Sequence, residues 1–183
     1  IEALFGPVHR TTTTKELMDR DIVSKLKIER ITMKWDRATQ DRFNRLTYPD
    51  EIQGICQSKA RNKFLTNLAL SRKGNTLVLF RFIEHGKELV RMLKEKAPDR
   101  IIHLVYGAVA PTEREAIRQE VEAGKDIVVV ASYATFATGI SIRRLFHVIF
   151  ACPLKSPILL RQAIGRELRK SVDKDIAILY DLA

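Results

Sequence analysis

The chain has 183 residues, 45% of them hydrophobic and 30% charged, which is the balance of a soluble globular protein with one well-buried core. The formal net charge of +10 favours polyanionic partners, because lysine and arginine displace counterions from phosphates. Nucleic acid is therefore the first partner to consider, and a basic protein without such a partner is the alternative.

Other residue types exclude further classes. No apolar run approaches the roughly 20 residues of a membrane-spanning helix, so we expect no membrane partner and a cytoplasmic location. Cys56, Cys152 and the four histidines lack metal-ligand spacing, which predicts two free thiols and no metal site.

Residues 1–75 are predicted to be a lead-in segment that packs on the main domain. TTTTKELMDR at 11–20 indicates a short capped helix, and KLKIERITMKW at 25–35 alternates with period two, as a strand does. Residues 36–69 are predicted to be largely helical. No linker marks a clear boundary.

From residue 76 to 183, short apolar runs alternate with amphipathic stretches. The runs begin at residues 76, 101, 126, 147 and 175, and each is apolar on both faces, as parallel strands between two layers of helices require. Helices are predicted from Phe82 to about Pro98 and, with Thr112 as N-cap, up to Gly124. We therefore predict an α/β fold, a doubly wound, mainly parallel sheet with helices on both faces.

A last helix is predicted from Pro157 to about Lys170. Gln162, Arg166 and Arg169 are spaced four and three apart, so they share one face, opposite the apolar stripe. Two arginines on one edge provide N–H donors and positive charge, which can stabilise the negative charge of a phosphoryl transition state. A solvated helix face is the ordinary alternative for this pattern.

Polar and small residues follow several of the predicted strands. In open parallel sheets ligands collect at the carboxyl ends of the strands, so these residues are candidates for holding phosphate oxygens or sugar. Each of them alone also fits an ordinary turn, and their shared edge is the reason to group them. The group comprises Arg81, Gly107, Ser132, Thr138, Gly139 and Ser141.

Four segments carry a family resemblance. QAIGRELR at 162–169 resembles motif VI of superfamily-2 helicases, and ASYATFATGIS at 131–141 resembles motif V. TLVLF at 76–80 resembles motif IV, and LVYGAVAPTERE at 104–115 resembles the segment between motifs IV and V. Order and spacing also match, so the resemblance implies a RecA-like domain over residues 76–183.

Within that superfamily the chain resembles the UvsW-type phage DNA helicases. The segments that carry this likeness are LFGP at 4–7, KELMDRDIVSKLKI at 15–28 and VASYATFATGIS at 130–141. The likeness implies an ATP-dependent DNA helicase or translocase that acts on branched DNA in recombination, repair or replication restart. RNA remains an alternative substrate, because backbone contacts are nearly blind to sequence.

The resemblance also implies roles for the nucleotide side of the site. Arg166 and Arg169 would be the catalytic residues that reach the γ-phosphate of ATP, one of them as the arginine finger, and Gln162 would order that edge. Ser141 stands where many relatives have an aspartate, which leaves only a weaker hydroxyl contact to ribose. Ala163 and Leu168 also depart from the family pattern.

On the nucleic-acid side, the resemblance implies that Ser132 contacts the backbone of the nucleic acid. Thr138 and Gly139 would couple the nucleotide cleft to that contact, and Arg81 and Gly107 would line the same track.

Two parts of a superfamily-2 motor are missing from this sequence. Such a motor requires a glycine-rich loop that contains a lysine, and it also requires a pair of carboxylates that hold Mg²⁺. The GlyLys pairs at 86 and 124 lack the flanking residues of such a loop. We therefore expect ATP with Mg²⁺ to be bound mainly by an absent N-terminal RecA-like domain, and this chain alone to be inactive. The start at Ile1 without methionine agrees with that expectation.

Two readings of other classes stay open. The first is a non-catalytic basic module that binds nucleic acid without coupling to ATP. The second is a flavodoxin-like nucleotide-binding enzyme, which would need its own phosphate loop after the first strand of the sheet, where only Gly86 is offered.

Overall fold

The computed structural model describes residues 12–139, 142–154, 156, 161, 164–165, 169–171 and 173–182. Its helices are α1 Thr14–Asp19, α2 Arg37–Phe43, α3 Tyr48–Gln57, α4 Lys59–Ser71, α5 Ile83–Lys96, α6 Pro111–Ala123 and α7 Tyr133–Gly139. Its strands are β1 Lys25–Ile31, β2 Thr76–Phe80, β3 Ile102–Val105, β4 Val128–Ser132, β5 His147–Phe150 and β6 Ile176–Leu182.

The six strands form one sheet in the order β1-β6-β5-β2-β4-β3, and every pairing is parallel. Strands β3 and β4 lie on one side of β2 and strands β5 and β6 on the other, so the chain winds in both directions from β2. All five residues of β2 are buried, because helices cover a run that is apolar on both faces. The predicted doubly wound α/β fold is confirmed.

The lead-in segment contributes a strand to this sheet. The predicted capped helix is α1, in which the Thr13 hydroxyl accepts from the Glu16 backbone N–H at 3.2 Å and the Glu16 carboxylate accepts from the Thr13 N–H at 3.0 Å. β1 then pairs with β6 along its whole length, from Lys25 to Ile31. The boundary at residue 75 stays a prediction.

One predicted helix start was wrong. α6 begins at Pro111 after Ala110, and no side chain caps it, so Thr112 lies inside the first turn. Proline at the first helical position has the φ angle of a helix already and lacks only an N–H that would be unpaired there. The predicted end at Gly124 is confirmed, and a Cβ at this position would lie 2.8 Å from the Glu120 carbonyl oxygen.

The last predicted helix lies mostly outside the described residues. Arg161, Ile164 and Gly165 are described, and all three are helical. Within the described part of the chain, no helix is long and apolar enough to cross a membrane.

Candidate functional site

Arg81, Gly107 and Ser132 meet at the carboxyl edge of the sheet. Each follows or ends a parallel strand, and the three line one cleft of about 560 Å³. Parallel strands that share a register end at the same edge, which is why residues 25 and more positions apart come together here. The remaining wall includes Pro153, Leu154 and Ser156 after β5, together with Tyr48 from α3 and Tyr133 from α7.

Arg81 is an exposed cation at this cleft. Its guanidinium carbon lies 5.5 Å from the centroid of the Phe82 ring, which holds the side chain at the surface. Its backbone N–H donates to the Cys152 sulfur at 3.4 Å. Arg81 also lines a second and larger cleft of about 930 Å³, between α3, α4 and α5. A guanidinium that borders two open clefts is available to bind phosphate.

The Ser132 hydroxyl is engaged locally. It donates to the Thr135 hydroxyl oxygen at 2.8 Å and accepts from the Thr135 backbone N–H at 3.2 Å, as a residue at the start of a helix does. A phosphate oxygen needs a donor, so the hydroxyl would have to release Thr135 to bind one. The position of Ser132 fits the predicted role, whereas its present hydrogen bonds serve α7.

Gly107 lies in an exposed turn between β3 and α6. A Cβ added there would have no atom within 4 Å. Arg114 holds the turn by donating to the carbonyl oxygens of Gly107 at 2.9 Å and Val109 at 2.8 Å. No contact among the described residues therefore requires glycine at this position.

The rest of the predicted motif V is described only in part. Thr138 and Gly139 are the last residues of α7, and their side-chain contacts lie outside the part of the chain that the structure describes. Ser141 lies outside the described residues. Their predicted roles stay predictions.

Arg169 does not join the cleft at the carboxyl edge. The Ser24 hydroxyl donates to the Arg169 backbone oxygen at 3.4 Å, and Ser24 immediately precedes β1. Because all strands are parallel, Arg169 lies at the amino ends of the strands, where the neighbouring Lys170 forms an ion pair with Asp21. Gln162 and Arg166 lie outside the described residues, so the predicted polar edge is represented by Arg169 alone.

The structure brings together a set of side chains that sequence reasoning missed. The sulfur atoms of Cys56 and Cys152 are 3.0 Å apart, and His85 Nδ1 lies 3.3 Å from the Cys152 sulfur. Both cysteines are free thiols, as predicted. Since 96 positions separate the two cysteines, no local spacing could have indicated the contact.

The sulfur pair is electrostatically asymmetric. The contacts with the Cys56 thiol and with the His85 imidazole lower the pKa of the Cys152 thiol. The same contact and burial raise the pKa of Cys56. His85 and the Arg81 backbone N–H both contact the Cys152 sulfur, so Cys152 is the sulfur of the pair that is better placed to carry negative charge.

This set does not fit Mg²⁺. Within the described ranges, Cys56, His85 and Cys152 are the one group of three potential metal ligands, and their donor atoms all lie within 4.8 Å of one another. Magnesium prefers oxygen ligands in octahedral geometry, whereas two sulfurs and an imidazole nitrogen are softer donors. We assign no step to Mg²⁺ on this chain.

Comparison with known proteins gives consistent matches. The family model described as "Helicase conserved C-terminal domain" matches residues 60–171. The ATP-dependent DNA helicase uvsW of Enterobacteria phage T4 is 35% identical over 182 residues, which cover 98% of this chain and 36% of that protein. The chain thus spans about a third of the length of this relative.

Solved structures agree with the topology. The crystal structure of T4 UvsW superimposes with a TM-score of 0.74 and covers 87% of this chain and 33% of that one. The ATP-dependent Type ISP restriction-modification enzyme LlaBIII, solved bound to DNA, gives 0.65 at 19% identity, covers 100% of this chain and 13% of that one, and shares the fold. The predicted RecA-like fold is confirmed.

Proposed function

The chain belongs to the helicase conserved C-terminal domain family, and from this membership we propose that it is the C-terminal motor domain of an ATP-dependent DNA helicase or translocase. The match to uvsW bears out the predicted resemblance to superfamily-2 helicases of that type. Its substrate is branched DNA in recombination, repair or replication restart, and it works in the cytoplasm, the host's if the gene is carried by a phage.

The observation that carries this proposal is the identity of 35% across nearly the whole chain to a protein named as an ATP-dependent DNA helicase. The net charge of +10 supports a nucleic-acid partner, because a basic surface binds the phosphate backbone through counterion release. The exposed Arg81 in the cleft at the carboxyl edge supplies a cation where that backbone would lie.

In the nucleotide half of the mechanism, Arg166 and Arg169 supply positive charge to the γ-phosphate as charge develops on its oxygens. Gln162 orients this edge, and Ser141 contributes a hydroxyl contact to the ribose. ATP with Mg²⁺ supplies the phosphoryl group and its charge neutralisation, and is held mainly by an N-terminal RecA-like domain of the same protein.

In the nucleic-acid half, Arg81 and Ser132 contact phosphates, and Gly107 allows close approach of the backbone. Thr138 and Gly139 are the last residues of α7, which starts directly after Ser132. A shift of α7 would therefore move Ser132 together with Thr138 and Gly139. Residues 76–183 form the motor domain in this proposal, and residues 1–75 pack on it and complete its sheet through β1.

The test is ATPase activity of the full-length protein that contains this chain, with and without branched DNA. Arg166→Ala is expected to lower DNA-stimulated turnover by about 10³-fold or more, the usual effect of an arginine finger. Arg161→Ala is the matched control, because Arg161 is an exposed arginine five positions earlier in the chain. It is expected to change turnover by less than about twofold.

The alternatives give different results. Normal turnover in the Arg166→Ala protein would remove the arginine-finger role and favour a non-catalytic nucleic-acid-binding module. Hydrolysis of ATP by the isolated chain would contradict the need for an N-terminal domain. Equal stimulation by branched, duplex and single-stranded DNA would contradict the proposed substrate.

A further inference from the structure

The buried sulfur pair lies in the wall of the larger cleft. Cys56 is the penultimate residue of α3 and lines this cleft with His85, whereas Cys152 lies two residues after β5. The side chains are 2% and 0% exposed, so only a small reagent that enters through the cleft can reach them. The sulfurs are 3.0 Å apart, and a disulfide bond of about 2.05 Å needs an approach of about 1 Å.

A hydrogen-bond chain orients the imidazole toward the sulfur pair. The Asn62 amide nitrogen donates to the Cys56 backbone oxygen at 2.9 Å, which turns the amide oxygen toward His85 Nε2, 2.9 Å away. His85 Nε2 therefore carries a proton, which leaves the Nδ1 lone pair facing the Cys152 sulfur at 3.3 Å, where it can accept the proton of the Cys152 thiol. The Arg81 backbone N–H donates to the same sulfur. These contacts favour a thiolate at Cys152.

Buried positive charge adds to this preference. Arg61 is 2% exposed, and its guanidinium donates to the backbone oxygens of Ala151 and, at 3.3 Å, of Leu182. Carbonyl oxygens do not neutralise a cation, so the guanidinium favours an anion nearby and disfavours a divalent metal ion. The sulfur separation is also shorter than two ligands of one tetrahedral zinc ion allow, which is about 3.8 Å for zinc–sulfur bonds of 2.3 Å.

We propose that Cys56 and Cys152 are a redox modification site, which closes reversibly to a disulfide that ties the end of α3 to the segment following β5. With hydrogen peroxide as oxidant, the Cys152 thiolate attacks one peroxide oxygen, the O–O bond breaks, and hydroxide leaves and takes up a proton. The Cys56 sulfur then attacks the resulting sulfenic acid, its proton leaves with the hydroxyl as water, and the S–S bond forms. A dithiol reductant reverses the bond by thiol–disulfide exchange.

The experiment treats the chain with a slight excess of hydrogen peroxide, denatures it and labels free thiols with a maleimide. The chain has two cysteines in total, so an internal disulfide removes two hydrogens from the intact mass and leaves no thiol to label. We expect one cross-linked peptide containing Cys56 and Cys152, and recovery of both labels after a dithiol reductant. Cys56→Ser is the control, in which Cys152 stops at the sulfenic acid and forms no cross-link.

A thermal measurement keeps the proposal testable if a variant folds poorly. The bond closes a loop spanning 96 positions, so the oxidised chain is expected to melt higher by roughly 5–15 °C, and a dithiol should abolish the rise. The proposal is overturned if both thiols label fully after peroxide, if the disulfide forms between two chains, or if equimolar Zn²⁺ binds the thiols and prevents the cross-link. None of these results depends on helicase activity.

Discussion

The two ends of β2 differ in how their polar groups are used. At the amino end, Asn75 is fully buried, its amide nitrogen donates to the Val121 oxygen at 2.7 Å, and its amide oxygen accepts from the Ile127 N–H at 3.0 Å. At the carboxyl end, Arg81 is exposed and borders two clefts. Polar groups that bond each other inside the protein stabilise the fold, whereas exposed donors at a cleft remain available to a ligand.

The largest effect is expected at the amino end. Asn75→Ala leaves the Ile127 N–H and the Val121 carbonyl without their partner in a buried site, so the free energy of unfolding should fall by about 2–4 kcal/mol. Urea denaturation measures it. Asn67→Ala is the control, an exposed asparagine paired with Lys96, with an expected change below about 0.5 kcal/mol. Equal losses of unfolding free energy in both variants would show that the buried Asn75 hydrogen bonds do not stabilise the amino end of β2 as proposed.

The next effect is expected at the carboxyl end and concerns binding. Arg81→Ala should weaken DNA binding about fivefold to tenfold and lower the slope of log affinity against log salt by about 0.9, one phosphate contact. Stability should stay within about 0.5 kcal/mol, because the guanidinium is exposed. Fluorescence anisotropy over a salt series measures the slope. Arg118→Ala on α6, where the guanidinium is paired with Glu115, should leave this slope unchanged.

A pH dependence is expected at the amino end of β5. Burial lowers the pKa of His147, whose Nε2 donates to the Lys73 oxygen at 3.0 Å and whose Nδ1 lies 3.3 Å from the Tyr180 hydroxyl. The unfolded state then binds the proton more readily than the folded state does, so this contribution to stability is complete above the ordinary pKa of 6.5 and is lost as pH falls below it.

Urea midpoints of the wild-type chain and of a His147→Gln variant, taken across this range, measure the contribution. The wild type should lose stability more steeply between pH 7 and 5 than the variant. Parallel curves would show that His147 titrates alike in both states.

The smallest effect is expected from an ion pair near the same end. Arg144 donates to Asp173 at 2.6 Å, and this contact lowers the pKa of the Asp173 carboxyl group. The Asp173 side chain is 45% exposed and the Arg144 side chain 18%, so Asp173→Asn should cost about 1 kcal/mol or less, and the difference should shrink as pH falls through the carboxyl pKa and in high salt. A loss above about 1.5 kcal/mol, by urea denaturation, would contradict this.

Local patterns predicted most elements because they report burial of a single segment. The runs starting at 76 and 126 contain β2 and β4, whose buried faces follow directly from their valines and leucines. The start of α6 was misjudged because Thr112 and Glu115 have capping-box spacing, while Pro111 begins the helix one residue earlier. The capping-box spacing and the proline lie close together in the chain, and the helix begins at the proline because its φ is already fixed at a helical value.

The sequence by itself determined the parallel α/β class and the family, since both rest on runs and motifs read along the chain. The tertiary structure alone decided which distant residues meet. It joins Arg81, Gly107 and Ser132 in one cleft, places Arg169 beside Ser24 at the opposite end of the strands, and brings Cys56 to Cys152. Periodicity encodes whether a residue is buried, whereas its neighbours across the sheet depend on the strand order, which no local pattern contains.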